Sequence, residues 1–227
     1  MSRPVYLSAE EHKQVSDAVA AAELHTSGEI VTVLADRSDG YSDIALAWAA
    51  LVAFTAIMAL ALFPDFYLGL IDSLTGNWNA QWSAGALFAI AGGFGIMKFL
   101  GTWLIQMWPP LKFLVIPGPV KGRRVRARAV DLFKVGAERR THGRTGVLIY
   151  LSMREHRAEI VADEAIAEKV SPETWGEAMA QMIGHVREGR VADGMVAAVN
   201  EVGIVLAQHF PREEDDQNEL PDRLIEL

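Results

Sequence analysis

Glu29, Arg144, Asp163 and Asp193 are the residues whose types and positions best suggest chemistry in this sequence. Each stands at the edge of a predicted strand or helix. If a strand over 29–35 runs parallel to one over 146–152, and a third over 157–163 runs antiparallel, then Glu29, Arg144, Thr145 and Asp163 share one end of a sheet. Glu29, Asp163 and Asp193 would there hold a hard cation such as Ca²⁺ or Mg²⁺ through oxygen. Arg144 would receive a phosphate through two parallel hydrogen bonds. Asp163 and Arg144 are therefore the candidate catalytic pair. A plainer reading stands beside this one. An arginine and a carboxylate also close a sheet edge, and an aspartate ahead of Gly194 also satisfies the free amides that open a helix.

Other chemistries find no support. Cysteine is absent, which excludes disulfides, thiolate nucleophiles and thiolate zinc sites. The 6 histidines (His12, His25, His142, His156, His185, His209) show no zinc spacing. No phosphate-binding glycine loop, dinucleotide fingerprint or GxSxG elbow occurs. The net charge of −8 argues against a nucleic-acid surface, so no nucleic-acid partner is expected. Much of that excess lies after residue 212, where Glu213-Glu214-Asp215-Asp216, Glu219, Asp222 and Glu226 predict a solvated, disordered acidic tail.

The elements that must position the candidates fall into two flanks. In the first, Ser8-Ala9-Glu10-Glu11 forms a capping box. Val15, Ala18, Val19 and Ala22 follow at helical spacing. Ser27-Gly28 ends that helix, and Glu29–Ala35 is β-branched and short, a strand. In the second flank, Val125, Ala129, Leu132, Phe133 and Ala137 mark a helix over 123–141. Gly146–Ser152 is a nearly continuous apolar run, the pattern of a strand covered on both faces. Arg157–Asp163 alternates and predicts a half-exposed strand. Ser171-Pro172 opens another helix with Trp175, Met179, Met182, Ile183 and Val186 as its stripe, and Gly189 stops it. A last helix runs over 192–209.

Between the flanks the sequence changes character. Ile44 to Phe63 is uncharged for about 20 residues, the length that crosses a hydrocarbon core. A second apolar run extends from Ser83 to Met107 with Lys98 as its one charge. A loop is expected over 64–82. Phe66, Tyr67, Trp78 and Trp82 gather on the loop side and Trp103 and Trp108 on the other, as amphipathic rings do at headgroup level. Arg37 precedes the first run, while Lys112, Lys121, Arg123, Arg124, Arg126 and Arg128 follow the second, and the loop carries neither Lys nor Arg. The positive-inside rule then places both flanks in the cytoplasm. Lys98 reads either as a functional intramembrane cation or as a side chain snorkelling to the inner headgroups. Pro109–Pro117 reads as an interfacial connector, and the arginines after it as partners of anionic lipid and as the polar face of a helix. Met1-Ser2-Arg3-Pro4 leads into a polar helix, so no cleavable signal is expected.

Neither flank closes a core alone, because a lone strand cannot satisfy its edges. Joined, they predict an α/β fold, a small mixed sheet flanked by helices and interrupted by a two-helix transmembrane hairpin. The divisions are 1–42 and 121–211 for the two parts of the domain, 43–120 for the hairpin and connector, and 212–227 for the acidic tail. The order Leu7-Ser8, Gly28-Glu29-Ile30-Val31, Arg144-Thr145-Gly146-Val147-Leu148-Ile149, Arg157–Asp163 and Gly189-Arg190-Val191-Ala192-Asp193-Gly194 resembles the TPM domain family of bacteria and chloroplast photosystem repair proteins. The family's glycine-rich turn after the third strand is replaced here by Ala162-Asp163-Glu164-Ala165-Ile166. Many members hold the domain outside the cytoplasm with one anchor after it, whereas the anchor here is internal.

The resemblance implies a non-enzymatic module that binds another membrane protein, assisting its assembly, repair or turnover, at a bacterial plasma membrane. It also implies an alternative, since some members are described as acid phosphatases or metal binders. Lacking cysteine, such a phosphatase would be metal-assisted, with Ca or Mg and bound water as nucleophile. A third expectation is a subunit of an oligomeric transporter or channel. The expected partners are the lipid bilayer and another membrane protein.

Overall fold

The computed structural model describes residues 5–76, 82–136, 145–212 and 220–227. The chain divides into two compact units, one made of residues 1–39 and 117–227 and the other of residues 40–116.

Among the described residues, the first unit is built on a sheet of four strands. Strand β1 (Glu29–Ala35) pairs in parallel with β2 (Gly146–Ser152), from Glu29 opposite Gly146 to Ala35 opposite Ser152. Strand β3 (Arg157–Ala162) runs antiparallel to β2, and β4 (Ile225–Glu226) adds to the free side of β1, giving the order β3-β2-β1-β4. Every residue of β1 and β2 is buried, whereas β3 is half-exposed. The side-chain period of 2 sends Ile30, Leu34, Val147, Ile149 and Leu151 to one face. Val31, Val33, Ala35, Leu148 and Tyr150 go to the other. A continuous apolar run needs cover on both sides, and it has it.

Helices α1 (Ala9–Glu23), α8 (Trp175–Arg187) and α9 (Val191–His209) cover the first face with Val15, Val19, Met182, Met195, Val199, Val202 and Leu206. Helix α6 (Gly118–Gly136) covers the second with Val125, Ala129 and Phe133. The expected capping box is present, with Glu11 N–H donating to Ser8 Oγ and Ser8 N–H to Glu11 Oε2 at 2.7 Å. Helix α9 lies so close to its neighbours that a Cβ at Gly194 would fall 2.8 Å from the Met182 carbonyl oxygen. One at Gly203 would fall 2.8 Å from the Ala22 Cβ. These two positions admit only glycine without a backbone shift.

The acidic tail is a correction. Residues 213–219 lie outside the described set, but 220–227 fold onto the domain instead of dispersing in solvent. Leu220 and Leu224 are buried, Leu227 N–H donates to Leu34 O at 2.9 Å, and Asp36 N–H donates to Leu227 O at 3.1 Å. Glu226 accepts from Tyr6 N–H and meets His12 Nε2. Charge counting obscured the apolar spacing of Leu220, Leu224, Ile225 and Leu227, which outweighs the neighbouring carboxylates.

The second unit contains α2 (Ser42–Leu62), α3 (Pro64–Thr75), α4 (Ala84–Ile105) and α5 (Pro109–Val115). Helices α2 and α4 pack together through small residues: Ala45, Ala49 and Ala53 are buried at successive turns, and Gly95 sits against Ile57. Gln106 Nε2 donates to the Ala45 carbonyl at 3.0 Å. The large side chains, among them Leu51, Phe54, Met58, Phe88, Ile96 and Leu100, point outward and are exposed. Small residues inside and large apolar residues outside are the packing pattern of helices solvated by lipid. Among the described residues, three helices are long and apolar enough to cross a membrane, α2, α4 and α9. Helix α9 spends its apolar surface on the core of the first unit.

Two expectations for this unit change. The region expected as loop contains α3, which runs over Pro64–Thr75 and is capped by Gly76, where φ is +71°. Phe66, Leu70 and Leu74 line up at helical spacing and are all exposed, as on a helix lying in an interface. Trp78 lies outside the described residues. Lys98 does not reach toward the end of α4 as snorkelling required. Its Nζ lies 5.1 Å from the centre of the Phe94 ring, one turn back, because helical side chains lean toward the N-terminus.

Candidate functional site

The first strand register brings Glu29 and Asp163 to the same end of the sheet, as the topology required, on either side of Gly146. Both are nearly dry, at 5% and 4% exposure. Asp163 Oδ2 accepts the Gly146 N–H at 3.1 Å, and the Asp163 N–H donates to the Gly146 carbonyl at 2.9 Å. Glu29 Oε2 accepts the Leu220 N–H at 3.1 Å. Thr145 belongs to the same corner, donating its hydroxyl to Ser27 O and accepting the Glu29 N–H at its carbonyl. The carboxylates found in the sequence thus close strand ends through backbone amides. Arg144 lies outside the described residues.

Asp193 does not join them. It sits in the first turn of α9, held by Arg190 Nη1 at 3.1 Å and Gln14 Nε2 at 3.3 Å, and these bonds keep its carboxyl below the usual range. The other end of α9 is tied to the Glu29 corner, since Phe210 O accepts from Ser27 N–H and the Thr26 hydroxyl. At 1.5 Å per residue, Asp193 stands roughly 25 Å away from that corner. Among the described residues no three histidine, aspartate or glutamate side chains gather as a metal site. The expected cation site of Glu29, Asp163 and Asp193 therefore does not assemble.

A carboxyl that the sequence reading passed over is more perturbed. Glu23, at the end of α1, accepts the Ile30 N–H at Oε1 at 2.8 Å. Its pKa is pushed up to about 8, first by burial and then by the nearby carboxyls of Glu29 and Asp222, against the lowering effect of the Ile30 amide. Burial inside one's own helix stripe left no sequence signal, because the position reads as polar.

The opposite end of the sheet is organised differently. Arg154 Nε donates to both oxygens of Asp36 at 2.9 Å, and the Tyr6 hydroxyl donates to the same carboxylate. Burial would raise the Asp36 pKa, but these two partners hold it below the usual value. The Tyr6 pKa rises to about 12, through burial and then through its bond to Asp36. Glu155, 3% exposed, accepts from Ser38 N–H and from the Ser152 hydroxyl. Ser152 is wholly buried and bonded straight to a carboxylate, so no imidazole intervenes to make it a nucleophile.

Beside this network opens a cavity of about 520 Å³, within the range of small-ligand sites. Its basic side chains come from separate elements: Lys121 from α6, His156 from the β2–β3 turn, Arg157 from the start of β3, and Arg187 from the end of α8. Apolar side chains of α8, including Met179 and Ile183, form part of its wall. His156 adopts φ +50°, a conformation that non-glycine residues rarely hold. The sequence reading placed Lys121 in a basic cluster and Arg157 at a strand start, and did not single out Arg187. Only the packing of α8 against β3 brings these positions together. Two members of the basic cluster are engaged within the domain, Arg124 with Asp39 and Arg126 with Glu159 at 3.2 Å.

Residues 113–205 match the family model described as TPM domain. The match begins after the first flank, which the fold nevertheless builds into the same unit through β1. The chain is also similar to the NMR structure of BA42 protein from the psychrophilic bacterium Bizionia argentinensis. That similarity has a TM-score of 0.57 at 20% sequence identity, over 100% of this chain and 99% of that one. At that identity the likeness speaks for the fold. No curated protein matches the chain. A domain match covering α6 through most of α9, on a mixed sheet of the expected register, identifies a TPM domain in this chain over residues 113–205.

Proposed function

We propose that this chain is a membrane-anchored TPM-domain binding module that assists the assembly, repair or turnover of another membrane protein at the inner face of a bacterial plasma membrane. In this reading α2 and α4 are the two spans, and both flanks are cytoplasmic. The observation that carries it is the placement of the hairpin inside the domain. The chain leaves after β1 and returns at α6, so two covalent connections tie the domain to its anchor. The charge asymmetry supports the orientation, with Arg37 and the basic run from Lys112 on the flanks and no Lys or Arg over 64–82. The engagement of Asp163 and Glu29 with backbone amides favours a binding role over hydrolysis.

The lack of native cysteine makes the test direct. Gly69→Cys and Gly176→Cys each add a side chain where nothing lies within 4 Å. In intact cells an impermeant thiol reagent should label Cys at 69 and spare Cys at 176. A photo-activated crosslinker on either thiol should yield a discrete adduct with one membrane protein. Labelling of both positions would overturn the orientation, and no membrane-protein adduct from either would overturn the partner. Phosphomonoester hydrolysis by the purified full chain with Ca²⁺ or Mg²⁺, lost in Asp163→Asn, would replace this reading with the metal-dependent phosphatase.

A further inference from the structure

We propose that the cavity between α6, the β2–β3 turn and α8 binds the phosphate headgroup of an anionic lipid. Lys121, His156, Arg157 and Arg187 line it. Among the described residues, neither Lys121 nor Arg187 forms an ion pair. The Arg157 guanidinium makes one hydrogen bond among the described residues, from Nη2 to the Gly118 carbonyl at 3.4 Å. Glu155, the acidic member of the lining, turns its oxygens to Ser38 N–H and the Ser152 hydroxyl. Three cations, Lys121, Arg157 and Arg187, against the single carboxylate of Glu155 leave the lining with an excess of positive charge that an anion would complete. Two guanidinium groups and an ammonium suit the tetrahedral array of phosphate oxygens, with arginine forks donating in pairs. Gly118, where α6 begins, is also on the wall, so the positive end of that helix adds to the field.

The rest of the lining says what is joined to the phosphate. Leu151, Met179, Ile183 and Val186 give the cavity an apolar side, which a free inorganic phosphate would leave in water and an acyl glycerol would cover. Connectivity points to the same source, since the chain enters this unit from the hairpin at Pro117, one residue before Gly118. The proposal therefore rests on the hairpin lying in a bilayer. It does not depend on the protein partner, and crosslinking to such a partner can fail while lipid binding stands.

The test uses the full chain in neutral detergent, titrated calorimetrically with three probes: dihexanoyl phosphatidic acid, dihexanoyl phosphatidylcholine and inorganic phosphate. Phosphatidic acid should bind, with the choline lipid and inorganic phosphate each at least about tenfold weaker. The double variant Arg157→Gln, Arg187→Gln should lose roughly tenfold to a hundredfold in affinity for phosphatidic acid, with the thermal midpoint unchanged. Lys121→Gln, whose side chain starts from a different element, should lose a smaller factor and guards against a fold defect in the double variant. Unaltered affinity in both variants would overturn the site. Inorganic phosphate binding as tightly as phosphatidic acid would overturn the lipid as its occupant.

Discussion

At the start of β1 and β2, Glu29 and Asp163 are almost dry and accept the amides of Leu220 and Gly146. At the far end of β2, Lys121, Arg157 and Arg187 line an open cavity whose lining holds one carboxylate, Glu155, against these three cations. The first arrangement spends charge on the fold, while the second holds it for something outside the chain. A buried carboxylate lowers its own desolvation cost by accepting backbone N–H groups, and removing it leaves those donors orphaned. An exposed cation on a cavity rim costs the fold little and contributes little to it. The two ends should therefore separate cleanly when stability is measured against ligand binding.

The largest expected effect is at Glu23, beside the Glu29 corner. Its pKa of about 8 in the folded domain lies above the ordinary glutamate value of about 4.5 that the unfolded chain shows. Between these values the folded state binds the extra proton, so stability falls as pH rises. The contribution is complete below about pH 4.5 and lost above about pH 8. The ionised Glu23 then faces Glu29 and Asp222 with only the Ile30 amide in its favour. Denaturant unfolding of the full chain should show a decline on the order of a few kcal/mol across that window. Glu23→Gln keeps the acceptor for Ile30 and cannot ionise, so it should flatten the decline and unfold later than the native chain at pH 9. An unchanged slope in that variant would break the picture of a tight acidic corner.

Asp163→Ala comes next. It removes the acceptor for the Gly146 N–H in a buried setting, and should cost about 1–3 kcal/mol. Asp193→Ala, at an exposed pair with Arg190 that solvent screens, should cost clearly less. Equal losses at the two aspartates, measured by chemical unfolding, would show that burial is not what distinguishes them.

Much of this was legible in the sequence, and the misses share a cause. Periodicity and capping residues marked α1, β1, β2, β3 and α8, because each signal is local: Ser8 with Glu11, the run Gly146–Ser152, the stripe from Trp175 to Val186. The parallel pairing of β1 with β2 followed from the need to satisfy edges. Strand β4 was not visible, since two residues paired with a strand nearly two hundred positions earlier leave no local pattern. Helix α3 was missed because Asp65 and Asp72 distracted from Phe66, Leu70 and Leu74. At the site, the sheet register placed Glu29 and Asp163 together but could not say that amides already held them. The direction of α9 decided against Asp193, and no spacing rule carries that. The cationic cavity was least legible, because its members are separated by 36 residues from Lys121 to Arg157 and by 30 from there to Arg187.

The smallest expected effect is the sharpest test of the contrast. Arg187 sits in the last turn of α8, so its charge favours the negative end of that helix by a few tenths of a kcal/mol. Against this, Arg187 shares a cavity with Lys121 and Arg157, in excess of the single carboxylate of Glu155, and like charges in excess repel. Arg187→Gln removes both terms, and they oppose each other. The thermal or chemical midpoint of the ligand-free chain should therefore move by less than about 0.5 kcal/mol. Raising the salt should weaken repulsion among the remaining cations and the helix-end attraction alike, keeping the difference small. A loss above about 1 kcal/mol at any ionic strength would mean that Arg187 holds the fold, as Asp163 does, and the division of labour between the two ends would fail. A near-zero change in stability with a large change in phosphatidic acid affinity is the pattern that only a cavity built for an outside anion produces.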